Sequence, residues 1–230
     1  MKQLPLGIQL ERESTFEGFF PGPNAEPLKH IAEATRCDSK AVVLLHSAAV
    51  TGKTHLLQAA CRTVADENRT AGYFHFLDRE NFSPAALAGW ENLALVCLDE
   101  IDTVAGDAEW EQSVFNLFNG LYDNDGRLLM AARTPPTNWQ FSLKDLSSRL
   151  VSGLVLQLRD MNDDEKVNAL VLRALGRGLE LSLEGANYLV KHYPRDMTTL
   201  CKLLDRLDEA SMAAQRKLTL PFIRQVLPLA

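Results

Sequence analysis

Between residues 40 and 134 the chain alternates between continuous apolar stretches and amphipathic ones. Four continuous apolar runs lie at 40–46, 71–78, 92–102 and 126–134. Runs of this length without regular polar positions are typical of strands buried on both faces of a sheet. Between them, helices are predicted over 53–68 and 109–125; in the second, apolar positions recur at helical spacing. This alternation predicts a parallel sheet covered by helices on both faces.

After residue 158 the pattern becomes helical throughout. Helices are predicted at about 163–176, 182–192, 195–214 and 220–227. Asn162 precedes the first of them, and Glu165 follows three residues later, which predicts a capping box. The chain is therefore expected to have a flexible tail over 1–12, an α/β base over 13–158 and a small helical lid over 159–230.

The loop after the first apolar run resembles a phosphate-binding loop. Residues 51–54 read Thr-Gly-Lys-Thr, the end of the G-x-x-x-x-G-K-[ST] motif. Lys53 is expected to reach the β- and γ-phosphates and Thr54 to place its hydroxyl on Mg²⁺. Ser47 stands where the motif has its first glycine, and Val50 is β-branched and resists a positive φ. The alternative is a chance Gly-Lys-Thr between a strand and a helix.

The third apolar run ends in Asp99-Glu100, the form of a Walker B motif. Asp99 is expected to hold the Mg²⁺ shell, and Glu100 to orient or activate an attacking water. A strand that runs into an acidic loop is the alternative. Two such motifs in the right order, each on a buried strand, favour a nucleotide site.

Spacing alone leaves the roles of two arginines and one peptide open. Arg149, in "DLSSRL", is either a surface residue or a finger that enters a neighbour's pocket. Arg195, in "HYPRDM", is at a place from which it can reach bound phosphates. The tail "KQLPLGI" (2–8) is a docking peptide, an added edge strand or a segment without a role.

Charge and composition exclude some classes of protein. The 230 residues carry a net charge of -6, with a pI near 5.4, which disfavours autonomous DNA binding. The four cysteines show no C-x-x-C spacing and are expected to be reduced thiols of a cytoplasmic protein. No apolar run reaches the length of a membrane span, and the N-terminus lacks a signal-peptide core.

Together these segments resemble the DnaA family of AAA+ proteins, and within it the DnaA-homologous regulators of the Hda type. The resemblance covers nearly the whole chain. The segments that carry it are "TFEGFFPGPNAEPL", "GKTHLLQAAC", "PPTNWQFSLKDLSSRLVSGLVLQL", "DDEKVNALVLRALGRGLELS" and, most specifically, "PRDMTTLCKLLDRLDEASMAAQRKLTLPFIRQVL". It implies an AAA+ P-loop NTPase base followed by an all-helical lid.

The resemblance also implies a function: a negative regulator of DNA replication initiation. With the DNA-loaded sliding clamp, the β subunit of DNA polymerase III, such a regulator stimulates hydrolysis of the ATP bound to DnaA. Arg149 would be the finger that acts in trans, and Gln3, Leu4 and Leu6 would contact the clamp. The implied ligand is ADP or another nucleoside diphosphate, with Mg²⁺ on Thr54 and Asp99 when present. The implied nucleotide contacts are Phe20, Asn24, Thr51, Gly52, Lys53, Thr54, His55, Asp99 and, as the sensor-2 arginine, Arg195.

The chain departs from the family pattern at sensor 1, which normally presents a polar or acidic residue after the fourth strand. Ala131 and Ala132 occupy that area, leaving Arg133 and Thr134 as polar candidates. This argues against efficient hydrolysis, whereas Asp99-Glu100 argues for it. We therefore expect a nucleotide that is bound and rarely turned over.

Other functions stay open. One is a non-hydrolysing adaptor that recruits DnaA or another replication protein. Another is an autonomous ATPase of the helicase-loader kind. The chain ends where DnaA would continue into a basic DNA-binding domain, which favours the regulator, and self-association is possible for any of the three.

Overall fold

A computed structural model describes residues 14–228. They form two compact units, one of residues 14–16 and 24–159 and one of residues 17–23 and 160–228. The predicted clamp contacts Gln3, Leu4 and Leu6 lie outside the described residues. None of the helices within 14–228 has both the length and the apolar character needed to cross a membrane.

A parallel sheet of five strands forms the centre of the first unit. Its strands are β1 (Ala41–His46), β2 (Ala71–His75), β3 (Leu95–Asp99), β4 (Arg127–Ala132) and β5 (Leu154–Gln157), in the order β2-β3-β4-β1-β5. β1 to β4 confirm the prediction that each of the four apolar runs forms a strand. β5 was not predicted, because it is a short strand whose residues are largely exposed and which, among residues 14–228, pairs with β1 alone.

Four α-helices surround this sheet. They are α1 (Ala25–Arg36), α2 (Lys53–Asp66), α3 (Ala108–Asp123) and α4 (Lys144–Leu150). The sequence predicted α2 and α3 to within two residues at each end, whereas the polar segment that contains Arg149 was not predicted to be helical. The two leucines Leu146 and Leu150 are fully buried and hold α4 against the core.

The two faces of the sheet bury alternate residues of each strand. In β3, Val96 and Leu98 join the cluster that contains the apolar face of α3. Cys97, between them, points the other way, and its Sγ lies 3.5 Å from the carbonyl oxygen of Leu57 in α2. Because successive side chains of a strand point to opposite faces, a continuous apolar run is what a sheet covered on both sides requires.

The strand order brings three loops together. β3, β4 and β1 are neighbours and run parallel, so their carboxyl ends lie at one edge of the sheet. The segments that leave this edge begin at Ser47, Glu100 and Arg133. In open α/β sheets this edge is where ligands bind.

The second unit is helical. Its helices are α5 (Asp163–Gly176), α6 (Leu183–His192), α7 (Met197–Ala214) and α8 (Leu220–Val226). The capping box is confirmed, since Asn162 Oδ1 accepts from the N–H of Glu165 at 2.9 Å and Glu165 Oε2 accepts from that of Asn162 at 2.7 Å. A separate apolar core joins these helices. All four cysteines of the chain are free thiols.

Candidate nucleotide site and arginine finger

The phosphate-loop segment is closed on itself through the side chain of Lys53. Its ammonium donates to the carbonyl oxygen of Ser47 at 2.9 Å, to Ser47 Oγ at 3.0 Å and to the carbonyl oxygen of Ala49 at 3.4 Å. The hydroxyls of Ser47 and Thr51 lie 2.6 Å apart. Ser47 is therefore part of the loop's own hydrogen-bond network, where a glycine would offer the backbone alone.

The substitution by Val50 is accommodated without backbone strain. Among the described loop residues, 47–52, Gly52 alone has a positive φ, 89°, immediately before α2. Val50 is 56% exposed, so its side chain points largely into solvent. The expectation that Val50 would resist a required positive φ is therefore wrong for this conformation, because the loop places that requirement on Gly52.

Asp99 is fully buried at the end of β3 and accepts three hydrogen bonds. Thr54 Oγ1 and the Tyr73 hydroxyl donate to Oδ2 at 2.7 and 2.8 Å, and the N–H of Glu100 donates to Oδ1 at 3.0 Å. Thr54 and Asp99 thus come together as the sequence predicted. A hydroxyl beside a carboxylate fits Mg²⁺, which takes oxygen ligands and keeps waters and substrate phosphates in its shell.

Tyr73 is a member of the site that sequence reasoning missed. It lies in β2 and is buried, and burial next to Asp99 raises the pKa of its hydroxyl far above its ordinary value. A tyrosine inside an apolar run carries no motif. Its role becomes visible only when β2 and β3 are paired with Tyr73 opposite Cys97.

Glu100 is held by an arginine. Arg133 Nε lies 2.7 Å from Glu100 Oε2, and Glu100 has a left-handed backbone, with φ 57°. Oε2 is buried and accepts no hydrogen bond in the described structure, so the contact is an ion pair without hydrogen-bond alignment. Burial raises the pKa of the Glu100 carboxyl, and the charge of Arg133 opposes that shift.

The other sensor-1 candidate, Thr134, is occupied by structural contacts. Its hydroxyl donates to Asp102 Oδ2 at 2.8 Å, and its backbone N–H donates to the same oxygen at 3.0 Å. The indole N–H of Trp139 lies 3.1 Å from Thr134 Oγ1. Ala131 and Ala132, inside β4, are fully buried. Arg133 is thus the sensor-1 candidate whose side chain faces a Walker B residue.

Burial shapes the electrostatics of the loop. It lowers the pKa of the Lys53 ammonium, and the carboxylates of Glu100 and Asp99 oppose that effect. Within residues 14–228 this buried cation is held by a hydroxyl and two carbonyl oxygens, none of which carries a full negative charge. An anionic phosphate would supply it.

Two further predicted contacts, His55 and Asn24, have protein partners. His55 Nε2 lies 2.7 Å from the carbonyl oxygen of Thr15. Asn24 is buried, and its amide both donates to the carbonyl oxygen of Arg159 at 2.9 Å and accepts from its N–H at 2.7 Å. Asn24 therefore joins the start of α1 to the segment after β5. Contact of either residue with a nucleotide stays a prediction.

Phe20 and Arg195 belong to the second unit. Arg195 Nη1 donates to Asp163 Oδ2 at 2.8 Å, so its charge is paired within that unit. The ring of Phe20 lies so close to Gly22 that a Cβ at that position would stand 2.8 Å from it. Their roles as nucleotide contacts stay predictions as well.

Arg149 lies on α4 with its guanidinium over two aromatic rings of α3. The guanidinium carbon is 4.9 Å from the ring centre of Phe115 and 5.9 Å from that of Phe118. Within 14–228, no carboxylate lies within ion-pair distance of Arg149. The structure thus offers a half-buried arginine positioned by cation–π contacts and not neutralised by an acid.

Similarity to known proteins identifies the family. A model of the bacterial DnaA ATPase domain matches residues 10–157, more than half of the chain. The chain belongs to the DnaA family. A second model, of the Hda lid domain, matches residues 163–227 of this DnaA-family chain, so its lid is of the Hda type.

Solved structures confirm the AAA+ fold of this DnaA-family chain. Domain III of the Thermotoga maritima initiation protein DnaA has a TM-score of 0.76 at 18% identity, covering 96% of this chain and 98% of that one. The AMPPCP-bound DnaA of Aquifex aeolicus gives 0.70 at 20% identity, with 89% and 67% covered. The Thermotoga maritima Holliday-junction branch migration motor RuvB gives 0.66 at 16% identity, with 95% and 72% covered.

Proposed function

We propose that this chain inactivates DnaA by supplying Arg149 to the pocket of a DnaA molecule that holds ATP, while its own pocket holds ADP. The observation that carries the proposal is the order of the two matches, a DnaA ATPase domain followed by a lid of the Hda type. The resemblance to Hda-type regulators links that combination to regulation of the initiator.

The loop and Walker B geometry support the part of the proposal that concerns the chain's own nucleotide. Gly52, Lys53 and Thr54 would hold the phosphates, with Mg²⁺ between Thr54 and Asp99. The AMPPCP complex of Aquifex aeolicus DnaA shows that a related fold binds a nucleoside triphosphate analogue. A bound diphosphate would supply a negative charge beside Lys53, whose partners in the loop are neutral hydroxyl and carbonyl oxygens.

The environment of Arg149 supports the role in trans. A finger must bring an unneutralised guanidinium to the charge that develops on the transferred phosphoryl group. Arg149 meets this requirement in the described residues, because aromatic faces hold its guanidinium in place of an acid. The aromatic contacts limit its rotamers without neutralising its charge.

The last part of the proposal concerns the N-terminal tail, which would bind the sliding clamp. Gln3, Leu4 and Leu6 would anchor the chain to the sliding clamp, which would confine stimulation to DnaA near clamp-loaded DNA. Tethering raises the effective concentration of one partner near the other without requiring a new contact between them.

The test is hydrolysis of DnaA-bound ATP in the presence of clamp-loaded DNA and purified chain. Arg149→Ala is expected to lower the stimulated rate by about 10³ or more. Lys144→Ala, which removes an exposed charge at the other end of the same helix, is the matched control and should keep full stimulation. Full stimulation by Arg149→Ala would overturn the finger assignment.

Two further measurements test clamp binding and distinguish a regulator from an adaptor. Gln3→Ala should abolish capture by the clamp, and intact capture would refute the tail assignment. If the parent chain binds DnaA without any rise in ATP hydrolysis, the chain is an adaptor and the proposed regulatory reaction is wrong.

A further inference from the structure

The ion pair between Arg133 and Glu100 is prearranged by two neighbouring turns. Glu100 follows β3 directly, and Arg133 follows β4, the adjacent strand. Asp102, two residues after Glu100, accepts from the N–H of Arg133 at 3.2 Å and from the N–H of Thr134 at 3.0 Å. These hydrogen bonds hold the turn after β4, which carries Arg133, against the turn after β3, which carries Glu100.

The two partners differ in exposure. The side chain of Glu100 is 10% exposed and that of Arg133 is 55% exposed. Glu100 Oε2, the oxygen beside the guanidinium, is buried and accepts no hydrogen bond from any described residue. Arg133, the more exposed partner, thus contacts the buried oxygen of Glu100 directly.

Hydrolysis of ATP sets a requirement for Glu100. A water oxygen bonds to the γ-phosphorus, the bond from that phosphorus to the bridging oxygen breaks to leave ADP and phosphate, and a water proton passes to a base. That base must have a lone pair within hydrogen-bond reach of the water. Glu100 Oε2 is buried and lies 2.7 Å from the guanidinium of Arg133, so in this arrangement that oxygen has no open side from which it could accept from a water.

We propose that Arg133 locks Glu100 in this ion pair and thereby keeps the pocket from hydrolysing the nucleotide that it holds. The inference rests on the nucleotide pocket of the proposed function and adds the residue that keeps that pocket inactive. Arg133 is in this sense a positioning residue, because it acts through Glu100.

The lock predicts a gain of activity on its removal. In single-turnover assays of the chain alone with ATP and Mg²⁺, Arg133→Ala should hydrolyse ATP at least about tenfold faster than the parent, since a general base contributes roughly 10²–10⁴-fold. Combining Arg133→Ala with Glu100→Gln should return the rate to that of the parent. Arg36→Ala, which removes an exposed arginine at the end of α1, should change nothing.

Two measurements that do not depend on turnover accompany the assay. Calorimetry with ADP and with AMPPCP should give similar affinities for the parent and Arg133→Ala. Thermal melting of the nucleotide-free chain should give non-additive shifts in Tm for Arg133→Ala, Glu100→Gln and the double variant, because each single change removes the same ion pair. The melts also show whether each variant is folded.

The outcomes are separable. An Arg133→Ala chain that binds ATP but hydrolyses it no faster than the parent overturns the lock, as does a gain in rate that Glu100→Gln fails to suppress. A selective loss of AMPPCP affinity in Arg133→Ala also overturns it, since Arg133 would then be a phosphate ligand. A parent chain that binds neither ADP nor AMPPCP refutes the nucleotide pocket of the proposed function itself, and the lock with it.

Discussion

Glu111, in α3, is a buried carboxylate that binds the residues just before α4, the helix that carries Arg149. It is 1% exposed, in the first turn of α3. Its Oε1 accepts from the N–H of Gly106 at 2.7 Å and of Ser142 at 3.1 Å, and its Oε2 accepts from the N–H of Leu143 at 2.8 Å. Ser142 and Leu143 lead directly into α4. One side chain therefore ties the loop after the Walker B turn to the start of the finger helix.

The substitution Glu111→Gln keeps the shape of this side chain but replaces one acceptor oxygen with an NH₂ group. At least one of the three backbone N–H groups then loses its acceptor, at a cost of about 1–3 kcal/mol for a buried donor. The other two bonds lose their charge assistance, which makes ionic hydrogen bonds roughly twice as strong as neutral ones. We expect a total loss of about 2–4 kcal/mol in the free energy of unfolding.

Thermal melting followed by circular dichroism measures this loss as a fall in Tm of roughly 5–15 °C. Amide hydrogen exchange at Ser142 and Leu143 locates it, since these two amides should lose protection first. Glu109→Gln is the matched control. It makes the same change of charge on the exposed side of the same helix turn and should shift stability by less than about 0.5 kcal/mol. If Glu111→Gln were as stable as that control, the three hydrogen bonds could not have the strength assigned to them.

Three further variants probe other parts of the first unit. Lys53→Ala should weaken ADP binding at least about tenfold, because a charged hydrogen bond contributes ~1.5–3 kcal/mol; calorimetry that shows unchanged affinity would contradict the phosphate contact. Phe115→Leu should lower stimulation of DnaA hydrolysis about two- to fivefold by loosening Arg149, as expected for ~0.5–1 kcal/mol of cation–π energy; an unchanged rate would show that the ring does not position the finger. In the folded chain the pKa of Tyr73 is raised above its ordinary value of 10.0. The stabilisation that Tyr73 contributes is therefore complete below pH 10 and falls as the pH rises above 10, because the unfolded chain then loses the proton more easily than the folded chain does. Tyr73→Phe should flatten this alkaline loss in pH-dependent melts, whereas Phe at the exposed Tyr122 should not.

Local sequence pattern was sufficient to predict features that depend on a single strand or helix and its near neighbours in the chain. The runs that became β1, β3 and β4 are apolar because both faces of the sheet are covered, and that requirement is visible in sequence. The capping box at Asn162 and Glu165 is a contact between near neighbours, so its residues could be recognised without a fold. The pairing of Thr54 with Asp99 followed from two motifs that each come after the carboxyl end of a strand in one parallel sheet.

Pattern was insufficient where contacts are made across the chain. β5 and α4 were missed because a short edge strand and a helix of one to two turns carry little periodicity. The φ required in the phosphate loop was assigned to the wrong position, because only the folded loop shows that Gly52 bears it and that Val50 points into solvent.

The sequence by itself determined the class of this protein: a parallel α/β base with phosphate-loop and Walker B residues, followed by a helical lid. Those features depend on spacing and periodicity, which are properties of neighbouring residues. The tertiary structure alone decided that Arg133 pairs with Glu100, that Tyr73 donates to Asp99 and that Phe115 lies under Arg149. Each of these contacts joins residues on different elements, and it depends on strand order and helix packing that no local pattern records.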